Sequence, residues 1–449
     1  MKRIFSLIIA LFILTALLAC TGCSGSGTTL NEIDLADFTI IYDADQPDYN
    51  LRAANYIHDQ ILARTGLDLP VQEASSGTYP HELIVGETSR DISKWLNADT
   101  ENVDFAIYAD ANHILLEGNS FIIAAAAYYF VETYIPGQTF ESVIPQQISI
   151  HSPITEKANN FIFLIGDGMG VNHTKMFEAF DIPDDLSDMD MENDGEDIFY
   201  GYYLPHQGVI HTNSLSGTTD SAAGATALAC GYKTINGYVG RDQNLEDIQS
   251  LTELAMSKGM ATAVMSTDLM TGATPAGFSA HANNRDDSSD ILACQRDLLQ
   301  KGTIITCDLH SDRTYQDVIT ETLATLEQNK NGFFLMYEEA HIDKMSHSNL
   351  INDTFDCIVR FNQAIGLFME HAFYHPDTFL LITADHETGG LGFHATGGMS
   401  YSSTGHTPAD VPIFAYGQGT EVFADYNEEN NTVPMVIADL WGVPDFGDQ

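Results

Sequence analysis

The sequence predicts an α/β protein: a mostly parallel, doubly wound sheet flanked by helices, preceded by a small α+β module. Three observations carry this. From Asn160 onward, short apolar runs of strand length alternate with helical stretches, the pattern of strands covered on both faces. Residues 30–152 have a different texture, with short strands, a hairpin and two helices. The chain of 449 residues is long enough for both bodies.

The first residues read as an export signal rather than as fold. Lys2 and Arg3 precede the apolar run Ile4–Leu18, which is short for a membrane span. Leu17-Leu18-Ala19-Cys20 resembles a bacterial lipoprotein cleavage box, which makes residues 1–19 a signal peptide and Cys20 the lipidated residue. Gly22–Thr29 is rich in Gly, Ser and Thr and completes a flexible tether over residues 20–29. The expectation is an exported protein of the cell envelope, touching membrane only through its lipid anchor.

In the module, Phe38–Tyr42 and Leu83–Val85 read as strands, and Tyr49–Arg64 as a helix with Ala53, Ile57 and Ile61 on one face. Phe105–Tyr108 and Ile114–Glu117 read as a hairpin around Asp110–His113. Phe121–Tyr134 is an apolar helix stopped by Ile135-Pro136-Gly137. The module lacks a dense cluster of His or Asp and is read as packing or spacing, with walling of the site as the alternative. Its fold resembles the small α/β modules that precede catalytic domains in some bacterial carbohydrate-active enzymes.

In the second body, residues 153–449, the expected strands are Phe161–Ile165, Thr262–Met265, Phe333–Met336, Phe379–Ile382 and Val411–Ala415. Open parallel sheets place their sites beyond the carboxyl ends of the strands. The first strand leads into Gly166-Asp167-Gly168-Met169-Gly170, where glycines leave space around one carboxylate. The third leads to Glu338, then to Asp343 and His347, four apart and so on one helical face. The fourth leads to Asp385-His386-Glu387, and His406 stands just before the fifth. Three aspartates, one glutamate and three histidines therefore map to one sheet edge. A lone Asp there is usually a helix cap and a lone His structural; seven together point to metal.

The run Thr219-Asp220-Ser221-Ala222-Ala223-Gly224-Ala225-Thr226-Ala227 puts a serine at the start of a helix of small residues. Free N–H groups and the positive end of the helix suit a nucleophile that attacks an anionic group such as phosphate. The charge supports a need for metal. Lys and Arg number 18 against 63 Asp and Glu, for a net −45. Such a surface repels nucleic acid and anionic membranes, and would repel phosphate unless local positive charge is supplied.

Gly166–Gly170, Asp220–Ala227, Thr383–Glu387 and the His406 segment, with Glu338, Asp343 and His347 in order and Thr274-Pro275-Ala276-Gly277 followed by His281 and Arg285, closely resemble the alkaline phosphatase family. The likeness spans roughly Asn160–Gly417. It implies two zinc ions and one magnesium ion. Asp343, His347 and His406 hold one zinc, and Asp167, Asp385 and His386 the other. Asp167, Thr274 and Glu338 hold magnesium. Ser221 matches the nucleophile and Arg285 the phosphate-binding arginine, whose planar fork fits two phosphate oxygens. Asp220 orients the loop, Lys344 matches a lysine that meets phosphate through water, and His281 and Glu387 match positions near the metals. The implied reaction is hydrolysis of a small phosphate monoester through a phosphoserine on Ser221.

The sequence also departs from that pattern. Gly272 stands where members often carry Asp or His to steady the magnesium waters, so that site is expected to be weaker or to take zinc. The stretch from Arg285 to Glu338 is short where many members carry an insertion, which leaves the oligomeric state open, a homodimer included. Rival readings are a phosphodiesterase or sulfatase of the same superfamily, or a non-catalytic surface binding lipoprotein. Ser221 lacks the x-Pro-x-Arg that a sulfatase needs after its nucleophile, and the ligand set is complete. The acidic insertion Asp184–Asp197 reads as a solvated loop, Cys294 and Cys307 as the favoured disulfide pair, and Cys230 as a small core residue.

Overall fold

The computed structural model describes residues 32–44, 48–86, 88, 90, 104–118, 121–135, 137, 139–141, 143–149, 157–180, 198–306, 314–394 and 398–447. The expected signal and tether with Cys20, the acidic stretch Asp184–Asp197 and Cys307 lie outside the described residues.

The chain begins with β1 (Glu32–Asp34), β2 (Thr39–Tyr42), helix α1 (Tyr49–Thr65), β3 (Val71–Glu73), β4 (Glu82–Val85), β5 (Asp104–Ala109), β6 (His113–Glu117), helix α2 (Ile122–Tyr134), β7 (Thr139–Glu141) and β8 (Val143–Ser149). Six of these strands form a sheet in the order β3-β2-β4-β6-β5-β8. β2 pairs in parallel with β3 and β4, and β4 with β6, whereas β5 runs antiparallel to β6 and β8. The β5–β6 hairpin turns on Asp110, whose carboxylate accepts from the N–H groups of Asn112 and His113. α1 buries Ala53, Ala54, Ile57 and Ile61 and stops at Gly66, whose left-handed backbone lets its N–H reach Leu62 O.

The second sheet contains β9 (Asn160–Gly166), β10 (His206–His211), β11 (Ala261–Ser266), β12 (Ile304–Thr306), β13 (Phe333–Glu339), β14 (Thr378–Thr383), β19 (Val411–Tyr416) and β20 (Tyr426–Glu429). The labels between belong to short rim strands: β15 (Glu387–Thr388) with β18 (His406–Thr407), and β16 (Leu391–Phe393) with β17 (Met399–Tyr401). The order is β12-β11-β13-β9-β14-β19-β10-β20. β12 to β14 are parallel, and β19 is antiparallel to β14. All seven residues of β9 and of β13 are buried, as continuous apolar runs covered on both faces require. The reversal of β19 matters for the site. Because it runs the other way, its amino end, with His406 just upstream, lies at the edge where the parallel strands finish.

Helices α3 (Ser221–Cys230), α4 (Ala273–Ser279), α5 (Tyr315–Leu326), α6 (His341–His347) and α7 (Ile351–Tyr374) are the ones that matter below. Every residue of α3 is buried, and Cys230 ends it inside the core. Two glycines set how closely it packs. A Cβ on Gly224 would lie 2.8 Å from Asp385 O, and one on Gly277 of α4 would lie 2.8 Å from Ala225 Cβ. Gly224→Ala should therefore push the serine helix off its seat. We expect a loss of about 1–3 kcal/mol of stability and a larger fall in turnover; a variant with unchanged melting and rate would contradict this.

The last turns of α7 also carry the first sheet. Phe121 meets Tyr200 and Phe373 at ring distances of 4.7 and 6.0 Å, and Tyr56 meets Tyr374 at 4.5 Å. Arg52 forks onto Glu370, with Nε donating at 2.8 Å and Nη2 at 2.9 Å. One continuous apolar core runs through both sheets. These contacts lie where α7 leads into the amino end of β14, away from its carboxyl end, and they pack the two sheets together. Among the described residues, no helix is long and apolar enough to cross a membrane.

Candidate active site

Ser221 opens α3 and is 3% exposed. Asp220 caps the helix: one carboxylate oxygen accepts from Ala223 N at 3.0 Å, and the other from Gly237 N at 3.0 Å and Arg285 Nη1 at 3.3 Å. One side chain thus fixes the serine turn and aims the arginine. Arg285 keeps 37% of its side chain exposed, so part of its fork faces outward. The Ser221 hydroxyl lies 3.1 Å from His386 Nε2.

Around it stand two groups of three. Asp343 Oδ1 lies 3.3 Å from His347 Nε2 and 3.6 Å from His406 Nε2, and the two Nε2 atoms are 3.2 Å apart. His347 Nδ1 lies 2.6 Å from Thr404 O, and His406 Nδ1 lies 2.8 Å from Thr219 O. A carbonyl only accepts, so each Nδ1 carries the proton and each Nε2 presents a lone pair. Two lone pairs facing at this distance call for a cation between them. The second group is Asp167, Asp385 and His386, with His386 Nε2 3.4 Å from both Asp167 Oδ1 and Asp385 Oδ2. Neither oxygen has a hydrogen-bond partner, although both are buried. Zinc bonds of about 2.0–2.1 Å arranged tetrahedrally put ligand atoms about 3.3 Å apart. The spacings in both groups match that edge.

Close packing places these atoms. Gly168 adopts φ +76°, and a Cβ there would fall 2.9 Å from Asp343 Cβ. Its N–H and that of His386 both donate to Asp385 Oδ1. Thr388, two residues beyond His386, donates to Asp343 Oδ1 at 2.5 Å and lies 3.2 Å from His386 Nδ1, so it ties the two groups together. Glu387 accepts from the N–H groups of Gly390 and Leu391 and from the Thr407 hydroxyl. It thereby holds the β15–β18 pair, in which His406 stands opposite Thr388.

Glu338 stands opposite Ile165, two residues before Asp167. Asp167 feels the Glu338 charge, and Glu338 interacts with the Thr274 hydroxyl, which has no partner of good hydrogen-bond geometry although fully buried. The donor set is all oxygen, which suits magnesium. Glu338 also accepts from Ser266 Oγ at 2.5 Å. Lys344 pairs with Asp268, a residue the sequence reading did not single out, which in turn bears on Glu338. A carboxylate thus stands beside this site even though Gly272 has none. His281 differs from expectation. Its ring nitrogens are taken by Gly240 O at 2.7 Å and Glu253 at 3.0 Å, which leaves none for a metal or for its ligands. His173, fully buried, is likewise engaged by Gly170 N and Ser346.

The electrostatics point the same way. Burial, and then the charge of Asp343, push the Asp385 carboxyl up to about 8. Burial pushes Glu338 up to about 7, and burial with Asp385, Asp343 and Glu338 raises Asp167 strongly. Burial, then His406 and Arg285, hold His386 well below the ordinary histidine range, so it is neutral. Carboxylates crowded into a dry pocket keep their protons unless a cation replaces them.

A pH dependence follows. In metal-free protein the folded Asp385 and Glu338 hold protons that the unfolded chain releases above about pH 4. The folded state binds the extra protons up to about 8 and about 7 respectively, so stability falls as pH rises through that window. Metal-free protein should melt lower at pH 8 than at pH 5.5, with a shallower slope in Asp385→Asn. An equal slope in that variant would refute the assignment.

With this geometry in hand, the family can be settled. The family model described as Alkaline phosphatase matches residues 158–312 and 301–401, more than half of the 449 residues. The chain belongs to the alkaline phosphatase family. It is similar to Alkaline phosphatase 3 of Bacillus subtilis (strain 168), 27% identical over 298 residues that cover 54% of this chain and 63% of the relative. It is similar to the alkaline phosphatase of Schizosaccharomyces pombe, 34% identical over 212 residues that cover 43% and 37%. The chain therefore matches less than two thirds of the length of either relative. Among solved structures, the alkaline phosphatase of the Antarctic bacterium TAB5 is 26% identical with a TM-score of 0.53, over 64% of this chain and 99% of that one. A mutant of that phosphatase, 25% identical with a TM-score of 0.52 over 65% of this chain and 99% of that one, was solved with Mg bound in its M3 site. The cold-active alkaline phosphatase of a Shewanella species, 22% identical with a TM-score of 0.54 over 64% of this chain and 100% of that one, shares the fold.

Proposed function

We propose that this member of the alkaline phosphatase family hydrolyses small phosphate monoesters through a phosphoserine on Ser221, and that it works outside the cytoplasm, anchored through Cys20. The observation that carries the reading is the convergence of two ligand triads, with lone pairs facing inward, on the hydroxyl that opens α3. The alkaline phosphatases among its relatives support it.

In this reading Asp343, His347 and His406 hold one zinc, and Asp167, Asp385 and His386 a second. Asp167, Thr274 and Glu338 hold magnesium, with Asp268 and Lys344 beside them. Bound there, the ions supply positive charge for the phosphate and lower the barrier to ionising a nearby hydroxyl. Ser221 is positioned by the Asp220 cap to attack phosphorus, and its helix start offers N–H groups to the anion. Arg285, aimed by Asp220, takes two non-bridging oxygens. The Oγ–P bond forms as the bond to the substrate alcohol breaks. Water then cleaves the Oγ–P bond, returning the serine and releasing inorganic phosphate. The acidic surface favours a small, diffusible ester over nucleic acid.

The test compares an aryl phosphate monoester with the corresponding diester on full-length protein supplied with zinc and magnesium. Faster turnover of the monoester is the expected result. A preference for the diester would move the chain to a sister activity, and no release from either would overturn the proposal.

A further inference from the structure

A third cluster of ligand atoms lies at the other end of the sheet. Glu327 caps the carboxyl end of α5, His371 lies in the last turn of α7, and His375 is the residue that caps α7. Glu327 Oε1 stands 3.2 Å from His371 Nδ1 and 3.1 Å from His375 Nε2. The three ligand atoms converge within 4.8 Å. His375 O accepts from Thr378 N at the start of β14, and the His371 ring lies 5.9 Å from that of Phe333 at the start of β13. The cluster is therefore at the amino edge of the sheet. β14 alone spans six residues, about 20 Å at ~3.3 Å each, between it and the catalytic rim.

We propose that Glu327, His371 and His375 bind a divalent transition-metal ion of the zinc type, which staples α5 to the end of α7. Histidines four apart lie on one face of a helix, and a carboxylate from a second helix completes a triad. The two measured spacings are close to the tetrahedral edge of about 3.3 Å seen in both catalytic groups. The two imidazole rings stack at 4.3 Å with 20° between their planes, and each presents a nitrogen to the same Glu327 oxygen. His371 Nε2 is buried without a partner, in a residue 8% exposed, so the ring is held in place by packing and not by that nitrogen. Two imidazoles exclude magnesium and calcium, which take oxygen. Glu327 is exposed and His375 half-buried, so an ion can enter from solvent and keep water as its fourth ligand. The site is structural, far from Ser221, and is assigned independently of the phosphatase reading.

The test titrates chelator-stripped full-length protein with zinc chloride and follows melting. The parent should take up one equivalent more than His375→Ala and than Glu327→Gln. Saturating zinc should raise the parent's melting temperature more than that of either variant, while both variants keep the parent's turnover. Glu327→Gln preserves size at an exposed position, so it remains informative if His375→Ala folds poorly. Equal zinc stoichiometry in the parent and Glu327→Gln would overturn the proposal. So would an unchanged zinc-induced melting shift, because a metal-free His–Glu cluster binds no extra equivalent. Failure of the catalytic reading would appear separately, as absent turnover in the parent itself.

Discussion

Ser221→Ala should reduce turnover of an aryl phosphate by about a thousandfold or more, about 4 kcal/mol in the barrier, while melting and bound metal stay near the parent's values. The hydroxyl lies at the start of a helix whose remaining residues are mostly small and all buried, so its removal leaves α3 in place. Among the described residues its close side-chain partner is His386 Nε2, and that nitrogen remains oriented toward Asp167 and Asp385. Loss of the attacking oxygen is thus separated from loss of the scaffold. A variant that retained even a tenth of the parent rate would show that the nucleophile is something else. One that lost its metal as well would show that the serine is structural.

Chelation should have an effect as large. Stripping the protein with a strong chelator is expected to abolish turnover, with zinc and magnesium together restoring it and magnesium alone failing. The reason lies in the donor sets: both triads contain imidazole and suit zinc, whereas the Asp167, Thr274 and Glu338 set is all oxygen. Undiminished rates in protein verified as metal-free would remove the basis of the proposed chemistry. Restoration by magnesium alone would reassign the triads.

Much of this site was legible in the sequence because its ligands follow buried strands. Runs such as Phe161–Ile165 and Phe379–Ile382 are apolar throughout, so their carboxyl ends, and the Asp167 and Asp385–His386 groups beyond them, could be placed on one edge without coordinates. The parts that escaped notice lack such a pattern. β10 is only partly buried, and β12 is three half-buried residues, so neither forms a clear apolar run. Thr388 and Asp268 act through hydrogen bonds and pairing across long sequence separations, and a lone Thr or Asp carries no periodic signal; strand alternation from His386 to Thr388 was the one available hint. His281 misled for the converse reason. Its spacing from Thr274 fits the motif, yet its partner Glu253 comes from the earlier helix Leu251–Ser257, and nothing local announces that bond.

The way the first sheet sits on the end of α7 has a bearing on how the chain must be handled and how it is made. Tyr49, Phe121 and Phe373 belong to a single dry interior shared by both halves, sealed at its edge by Arg52 and Glu370. Shortening the gene to residues 153–449 would leave that interior open on one side, a sticky aromatic surface in search of a neighbour. During synthesis the opening half, which emerges first, has to wait for residues more than two hundred positions later before its own surface is covered. Chaperone dependence during synthesis, more than any property of the phosphatase rim, would follow from that wait.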